Sequence, residues 1–208
     1  MRKDSADCLI LFAKPPIPGR VKTRLIPAIG AAAAARLYRQ LLERTLSAGS
    51  SLSGVHKQLW WDGDDDGSGC DYAERYGMSL QRQRGANLGE RMAHALAVAL
   101  RSAERAVLIG SDCPQTDSAY LRSAFAALTR CDAIVGPAAD GGYLLIGVRR
   151  PEGHLFTNIP WSSGKVLELT RQRLSELDWR WEELPGLRDI DEAVDLAHFP
   201  ALTKSILR

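Results

Sequence analysis

The order of apolar runs in this chain predicts an α/β fold with a mostly parallel, doubly wound sheet, and three observations carry the prediction. Residues 8–13 are continuously apolar, the pattern of a strand buried on both faces of a parallel sheet. Segments of helical periodicity alternate with such runs, as parallel strands require, since only a crossover can connect them. Polar residues collect where the runs end, at the strand exits where open α/β sheets bind their ligands.

The first crossover spans residues 31–48, where Leu37, Leu41 and Thr45, with Ala34 and Tyr38 beside them, repeat at helical spacing. Ala31 to Ala35 is a strong helix start, and Gly49 is expected to stop the run. Residues 55–61 read as a second strand and 79–83 as a weaker third. Asn87 is a good N-cap with Glu90 three residues on, opening a helix through Met92, Leu96 and Leu100. Strand 106–110, helix 117–129, strands 133–137 and 143–148, helix 163–177, a short strand at 181–184 and a last helix from about Glu192 complete the order.

At 208 residues the chain fits one domain over residues 1–208 and can bury a substantial core. Its 27 Lys and Arg against 25 Asp and Glu leave a net charge of +2, with no broad basic stripe or tail, so nucleic acid is not an expected partner. Cys8, Cys70, Cys113 and Cys131 form no CxxC or paired pattern, which reads as free thiols in a reducing cytoplasm. After Met1, Arg2, Lys3 and Asp4 the only apolar run is residues 8–13, too short for a signal peptide core or a membrane span.

Three strand exits carry the candidate chemistry. After Ala13 the loop holds Lys14, Arg20, Lys22 and Arg24 without an acid, stiffened by Pro15, Pro16 and Pro18 and able to turn at Gly19. Four crowded cations repel one another unless an anion shares the space, so a phosphate-bearing ligand is expected there; the alternative is a solvated loop paired with nearby acids. The second exit, after strand 106–110, is Ser111-Asp112-Cys113-Pro114. Asp112 either reaches a divalent ion that bridges phosphates or caps the helix after Pro114. The third is Asp140-Gly141-Gly142, where Asp140 accepts from sugar hydroxyls or serves as a general base, and where the same residues can form a hairpin turn.

Towards the C-terminus, Asp191 is either an N-cap or a second metal carboxylate, and Trp161 either walls an acceptor site or is buried. Asp62, Asp64, Asp66 and Gly67 match the first positions of a calcium loop, but its twelfth position is Ala73 and the preceding residues read as strand, so a solvated acidic loop is expected. The four histidines are scattered, and no GxxxxGK[ST], GxGxxG, HExxH or GxSxG occurs.

FAKPPIPGRVKTRL, NLGERM, IGSDCP, GPAADGGYLLIG, IPWSSGKVLELT and LRDIDEAVDL, in that order over residues 9–196, resemble a small bacterial family of the nucleotide-diphospho-sugar transferase superfamily, some of whose members are assigned to arsenosugar biosynthesis. The resemblance implies the glycosyltransferase A-type fold, a Rossmann-like three-layer α/β/α sandwich. It implies nucleotide binding by Ala13, Lys14, Gly19, Arg20, Lys22 and Arg24, and Mg²⁺ or Mn²⁺ binding by Asp112 with Asp191. Asp140, Gly141, Gly142 and Trp161 would face the sugar or acceptor, with Asp140 and Lys22 in catalytic roles. Many such transferases carry a DxD pair, whereas Ser111 and Cys113 flank Asp112 here. The implied reaction moves a sugar from a nucleotide diphosphate sugar to a hydroxyl acceptor. The rival is a guanylyltransferase-like nucleotidyl transfer that releases pyrophosphate, since GRVKTRL is similar to loops of those enzymes too.

Overall fold

The computed structural model describes residues 6–63 and 67–206. Met1, Arg2, Lys3 and Asp4 of the N-terminus, and Asp64 and Asp66 of the calcium-like stretch, lie outside the described residues.

The strands are β1 (Asp7–Ala13), β2 (Val55–Trp61), β3 (Ser79–Arg82), β4 (Arg105–Ile109), β5 (Ala133–Pro137), β6 (Tyr143–Val148) and β7 (Trp181–Glu183). The helices are α1 (Ile26–Ile29), α2 (Ala31–Ser50), α3 (Ser68–Arg75), α4 (Leu88–Ala99), α5 (Ser118–Ala127), α6 (Val166–Glu176) and α7 (Pro200–Ile206), with short 3₁₀ turns at Thr23–Leu25, Gly153–Phe156 and Ala193–His198. One sheet runs β3-β2-β1-β4-β6-β5-β7, and only β6 is antiparallel to its neighbours. This is the expected mostly parallel α/β architecture.

Both faces of the sheet are buried, which explains the unbroken apolar run of β1. Leu9 and Leu11 of β1 join Tyr38, Leu42 and Leu46 of α2 and Leu121 and Phe125 of α5 on one face. Cys8, Ile10 and Phe12 join Met92, Ala95 and Leu96 of α4 and Leu167 and Leu174 of α6 on the other. A third cluster sits outside the sandwich, where Leu37 and Leu41 of α2 meet Ile190, Leu196, Leu202 and Ile206. None of the four cysteines is in a disulfide; Cys8, Cys113 and Cys131 are buried. Among the described residues no helix is long and apolar enough to cross a membrane.

The strands match the sequence expectation to within about a residue, but several helix boundaries differ for identifiable reasons. Gly49 does not stop α2, which continues to Ser50. A Cβ there would lie 2.8 Å from Leu9 Cδ2, so the glycine serves close packing of α2 on β1. The expected last helix is a 3₁₀ turn followed by α7. Its cap is Glu192, in a capping box with Asp195, and not Asp191. Helix α6 opens at Val166 instead of Ser163, because Gly164 is packed against the 140–142 turn. Asp117, not Asp112, caps α5, its side chain accepting from the Tyr120 amide. That disposes of the capping alternative for Asp112. The sequence reading passed over α3, whose eight residues are too few to show a convincing period.

Candidate active-site cleft

Parallel topology sends the exits of β1, β2, β3, β4, β5 and β7 to one edge of the sheet, and the antiparallel β6 begins at the same edge. A cleft of about 460 Å³ lies there. Of the residues the sequence singles out, Ala13, Lys14, Asp112, Asp140, Gly142, Trp161 and Asp191 line it, and Asp189 lines it as well. Gly19, Arg20, Lys22, Arg24 and Gly141 are not on its surface.

The basic loop is anchored from below by Tyr38. Its buried hydroxyl receives the Lys14 backbone N–H at 3.1 Å and lies 2.9 Å from the buried Ser111 hydroxyl, linking the loop after β1 to the loop after β4. Burial pushes the Tyr38 pKa well up, so the phenol stays protonated and able to make both contacts. Beyond the Gly19 turn the chain enters the left-handed region at Lys22, with φ 47° and ψ 43°. A lysine in that conformation costs about 1–2 kcal/mol and persists only where its side chain is held.

It is held by acids. Lys22 Nζ lies 2.7 Å from Asp112 Oδ1 and 3.8 Å from Asp191 Oδ1, with only 4% of its side chain exposed. Arg24 donates to Asp191 Oδ2 at 2.7 Å and lies 3.9 Å from Glu192. Two of the four cations are therefore paired with carboxylates, and Arg20 is exposed on a turn and does not line the cleft.

The acids arrive on a return segment after β7. Leu187 pairs with Ala138, and the Ile190 N–H donates to the Asp112 carbonyl at 3.3 Å. Ile190 is fully buried against α2, while its neighbours Asp189 and Asp191 both line the cleft, as alternation along an extended segment requires. Asp189 is the acid that the sequence reading missed. Its signal was present, since it stands two residues before Asp191 in LRDID. Its pKa is pushed up to about 6, first by burial, then by the Asp140 charge, with Asp112 adding and Lys22 opposing.

The far wall is built from backbone. Asp140 sits in the tight turn between β5 and β6, where its carboxylate accepts from the Gly142 N–H at 2.9 Å. The hairpin turn expected at this exit is present, and it leaves Asp140 lining the cleft. Gly141 has φ 87°, and a Cβ there would lie 2.3 Å from the Gly164 carbonyl oxygen. Trp161 meets Tyr143 edge-on at 6.4 Å between ring centres, and it covers Gly89 so closely that a Cβ would come 2.8 Å from its ring. The glycine of NLGERM is thus the seat of Trp161. At the opposite end, Asp62 and Arg91 form an ion pair at 2.9 Å, and Gln83 spends its amide N–H groups on the Ala13 and Trp60 carbonyls.

No three His, Cys, Asp or Glu side chains among the described residues form a ready-made metal cage. Magnesium does not need one, since it is commonly held by one or two carboxylates, substrate phosphates and water. The Lys22 ammonium between Asp112 and Asp191 is a stand-in that marks where a cation fits, and the oxygen donors suit a hard ion.

A family model described as an uncharacterized protein conserved in bacteria (DUF2064) matches residues 45–163. The chain belongs to this family. It is similar over 98% of its length, at 29% identity and a TM-score of 0.88, to 97% of a protein from Desulfovibrio desulfuricans G20 provisionally named a nucleotide-diphospho-sugar transferase. This places the DUF2064 chain in the nucleotide-diphospho-sugar transferase superfamily. At 13% identity it shares the fold of a 4-diphosphocytidyl-2C-methyl-D-erythritol synthase from Anaerococcus prevotii DSM 20548, with a TM-score of 0.65 over 97% of this chain and 98% of that one. It likewise shares the fold of a glucosyl-3-phosphoglycerate synthase from Mycobacterium tuberculosis, solved with Mn²⁺, UDP and product, at 13% identity and a TM-score of 0.57 over 98% and 78%. No protein of curated function matches the chain.

Proposed function

We propose that this protein transfers a sugar from a nucleotide diphosphate sugar to a hydroxyl acceptor. The observation that carries the reading is the polarity of one cleft: Lys14 and Asp112, the partner of the buried Lys22, stand at one side, and Asp140, Gly142 and Trp161 at the other. Phosphates suit the first side and a sugar with its acceptor suits the second, where an aromatic face can cover apolar C–H groups. The relative from Desulfovibrio desulfuricans supports the substrate class by its name.

Lys14 and Lys22 take the diphosphate, and Ala13 marks where the nucleotide meets the end of β1. Gly19 supplies the turn that brings Lys22 back, and Arg24 acts through Asp191, which it positions. Gly141 fixes the turn that presents Asp140, and Gly142 holds its carboxylate in place. Asp112 and Asp191 would hold Mg²⁺ or Mn²⁺, which supplies charge neutralisation at the leaving diphosphate when bound. Asp140 takes the proton of the attacking acceptor hydroxyl.

Incubation with a panel of nucleotide sugars and candidate hydroxyl acceptors, read by product mass, tests the reaction. A glycosylated acceptor with a nucleoside diphosphate is expected; pyrophosphate released from a nucleoside triphosphate would replace this reading with nucleotidyl transfer. Replacing Asp140 by Asn is expected to lower turnover about 10²- to 10⁴-fold with nucleotide affinity kept, the range for loss of a general base. Full turnover in a folded, nucleotide-bound Asp140→Asn protein would remove Asp140 from the mechanism.

A further inference from the structure

The cation already seated between Asp112 and Asp191 raises the question of how a metal ion would reach them. Lys22 Nζ is 2.7 Å from Asp112 and 3.8 Å from Asp191, on a side chain that is 4% exposed and a backbone in the left-handed region. An ammonium at hydrogen-bond distance from Asp112 stands where an ion shared by the two carboxylates would sit. We propose that Lys22 and the divalent ion share one seat, so that the metal loads only when a diphosphate draws the Lys22 ammonium away from Asp112.

The exchange is chemically balanced. The diphosphate brings negative charge to the basic side of the cleft, where Lys22 becomes its counterion. Asp112, released from Lys22, then becomes a ligand for the incoming ion. Asp191 stays oriented throughout, because Arg24 holds its other oxygen at 2.7 Å. Without a diphosphate, a metal would have to displace the ammonium from its carboxylates and leave a nearly buried lysine without a counter-charge. Metal and diphosphate are then positively coupled, each tightening the other by the same factor. Diphosphate bound without metal, and metal bound without diphosphate, are each weaker than the two bound together.

The inference rests on the proposed use of a diphosphate ligand, and the test separates the two. Equilibrium dialysis with Mn²⁺ measures the ion retained by the full chain, alone and with inorganic pyrophosphate on both sides of the membrane. A parallel titration follows pyrophosphate binding in EDTA. The wild-type chain is expected to retain Mn²⁺ roughly five- to hundredfold more tightly with pyrophosphate than alone, the usual range for coupled sites. Lys22→Met, which keeps the length of the stem and removes the charge, is expected to retain Mn²⁺ without pyrophosphate and to lose most of the coupling. Asp112→Asn is expected to keep pyrophosphate binding in EDTA and lose Mn²⁺ retention.

Equal Mn²⁺ retention by the wild-type chain with and without pyrophosphate overturns the shared seat, even if pyrophosphate binds well; this arm needs no variant and holds if Lys22→Met fails to fold. Absence of pyrophosphate binding in EDTA and in Mn²⁺ overturns the shared seat and the diphosphate reading together.

Discussion

The two sides of the cleft are held in different ways. On the side of β1 and β4, the loops are tied by side chains: Tyr38 to Lys14 and Ser111, Lys22 to Asp112, and Arg24 to Asp191. On the side of β5 and β6, the turn is set by backbone. Ala138 N–H donates to Gly142, Ala139 N–H to Leu187 and Leu167 N–H to Gly141, and Gly141 touches Gly164. Side-chain ties can be traded for contacts with a ligand, whereas backbone contacts cannot be traded without unfolding the turn. Rearrangement on binding is therefore expected on the basic side, against a far wall that stays fixed.

The largest structural effect should come from breaking the fixed wall. Gly141→Ala places a Cβ 2.3 Å from a carbonyl oxygen at a backbone φ of 87°, with no flexible side chain to yield. A loss of about 3 kcal/mol is expected in urea denaturation, in the range of strain at a special backbone position. An unchanged midpoint would show that the turn can move, and the contrast between the two sides would fail.

Tyr38→Phe tests the tied side. It removes the contacts to Lys14 and Ser111 but keeps the packing of the ring, so about 1–2 kcal/mol should be lost. A drop in nucleotide affinity larger than the drop in stability would mark the hydroxyl as a positioning group for the basic loop. Equal affinity in the two proteins would assign Tyr38 to the core alone.

The smallest effect lies at the seam. Asp189 titrates near 6 in the fold, above the value of about 4 for a free aspartate. A raised carboxyl pKa means that the ionised form is disfavoured by folding. That cost is present above pH 6, shrinks as pH falls from 6 towards 4, and vanishes below both values. Asp189→Asn should accordingly raise stability in EDTA at pH 7–8 by about 1 kcal/mol, allowing for solvent screening of a part-exposed group. The gain should fade by pH 4. A pH-independent difference would mean that neither burial nor the Asp140 and Asp112 charges raise the Asp189 pKa.

The tied side was the more legible in the sequence. Its cations and Asp112 stand beside strong apolar runs, and a strand exit is a local signal. What the sequence did not reveal is the partner of each charge. Lys22 meets Asp112 and Asp191 from positions far away in the chain, and no periodicity encodes such a pairing. The four cations therefore read as an unfilled anion site, although two of them are paired. The fixed wall was legible as a turn, because Asp-Gly-Gly is one, but the reasons for Gly141 and Gly89 lie in Gly164 and Trp161. Asp189 carries a local signal only through its i, i+2 spacing from Asp191, and the burial of Ile190 between them is what turns both acids to the cleft.

Gly49 has a mechanical meaning beyond its packing. Helix α2 is packed on β1 there, with Leu9 so near that a Cβ would force its side chain to shift, and the Tyr38 hydroxyl is carried roughly 16 Å further along the same rod. A tilt of only about 5° about that fulcrum would swing the hydroxyl by roughly 1.4 Å over such a length. Displacements of that size at a reacting centre cost about a hundredfold in rate. The precision of the loop after β1 is thus set in part at the opposite end of a lever, by the absence of a methyl group.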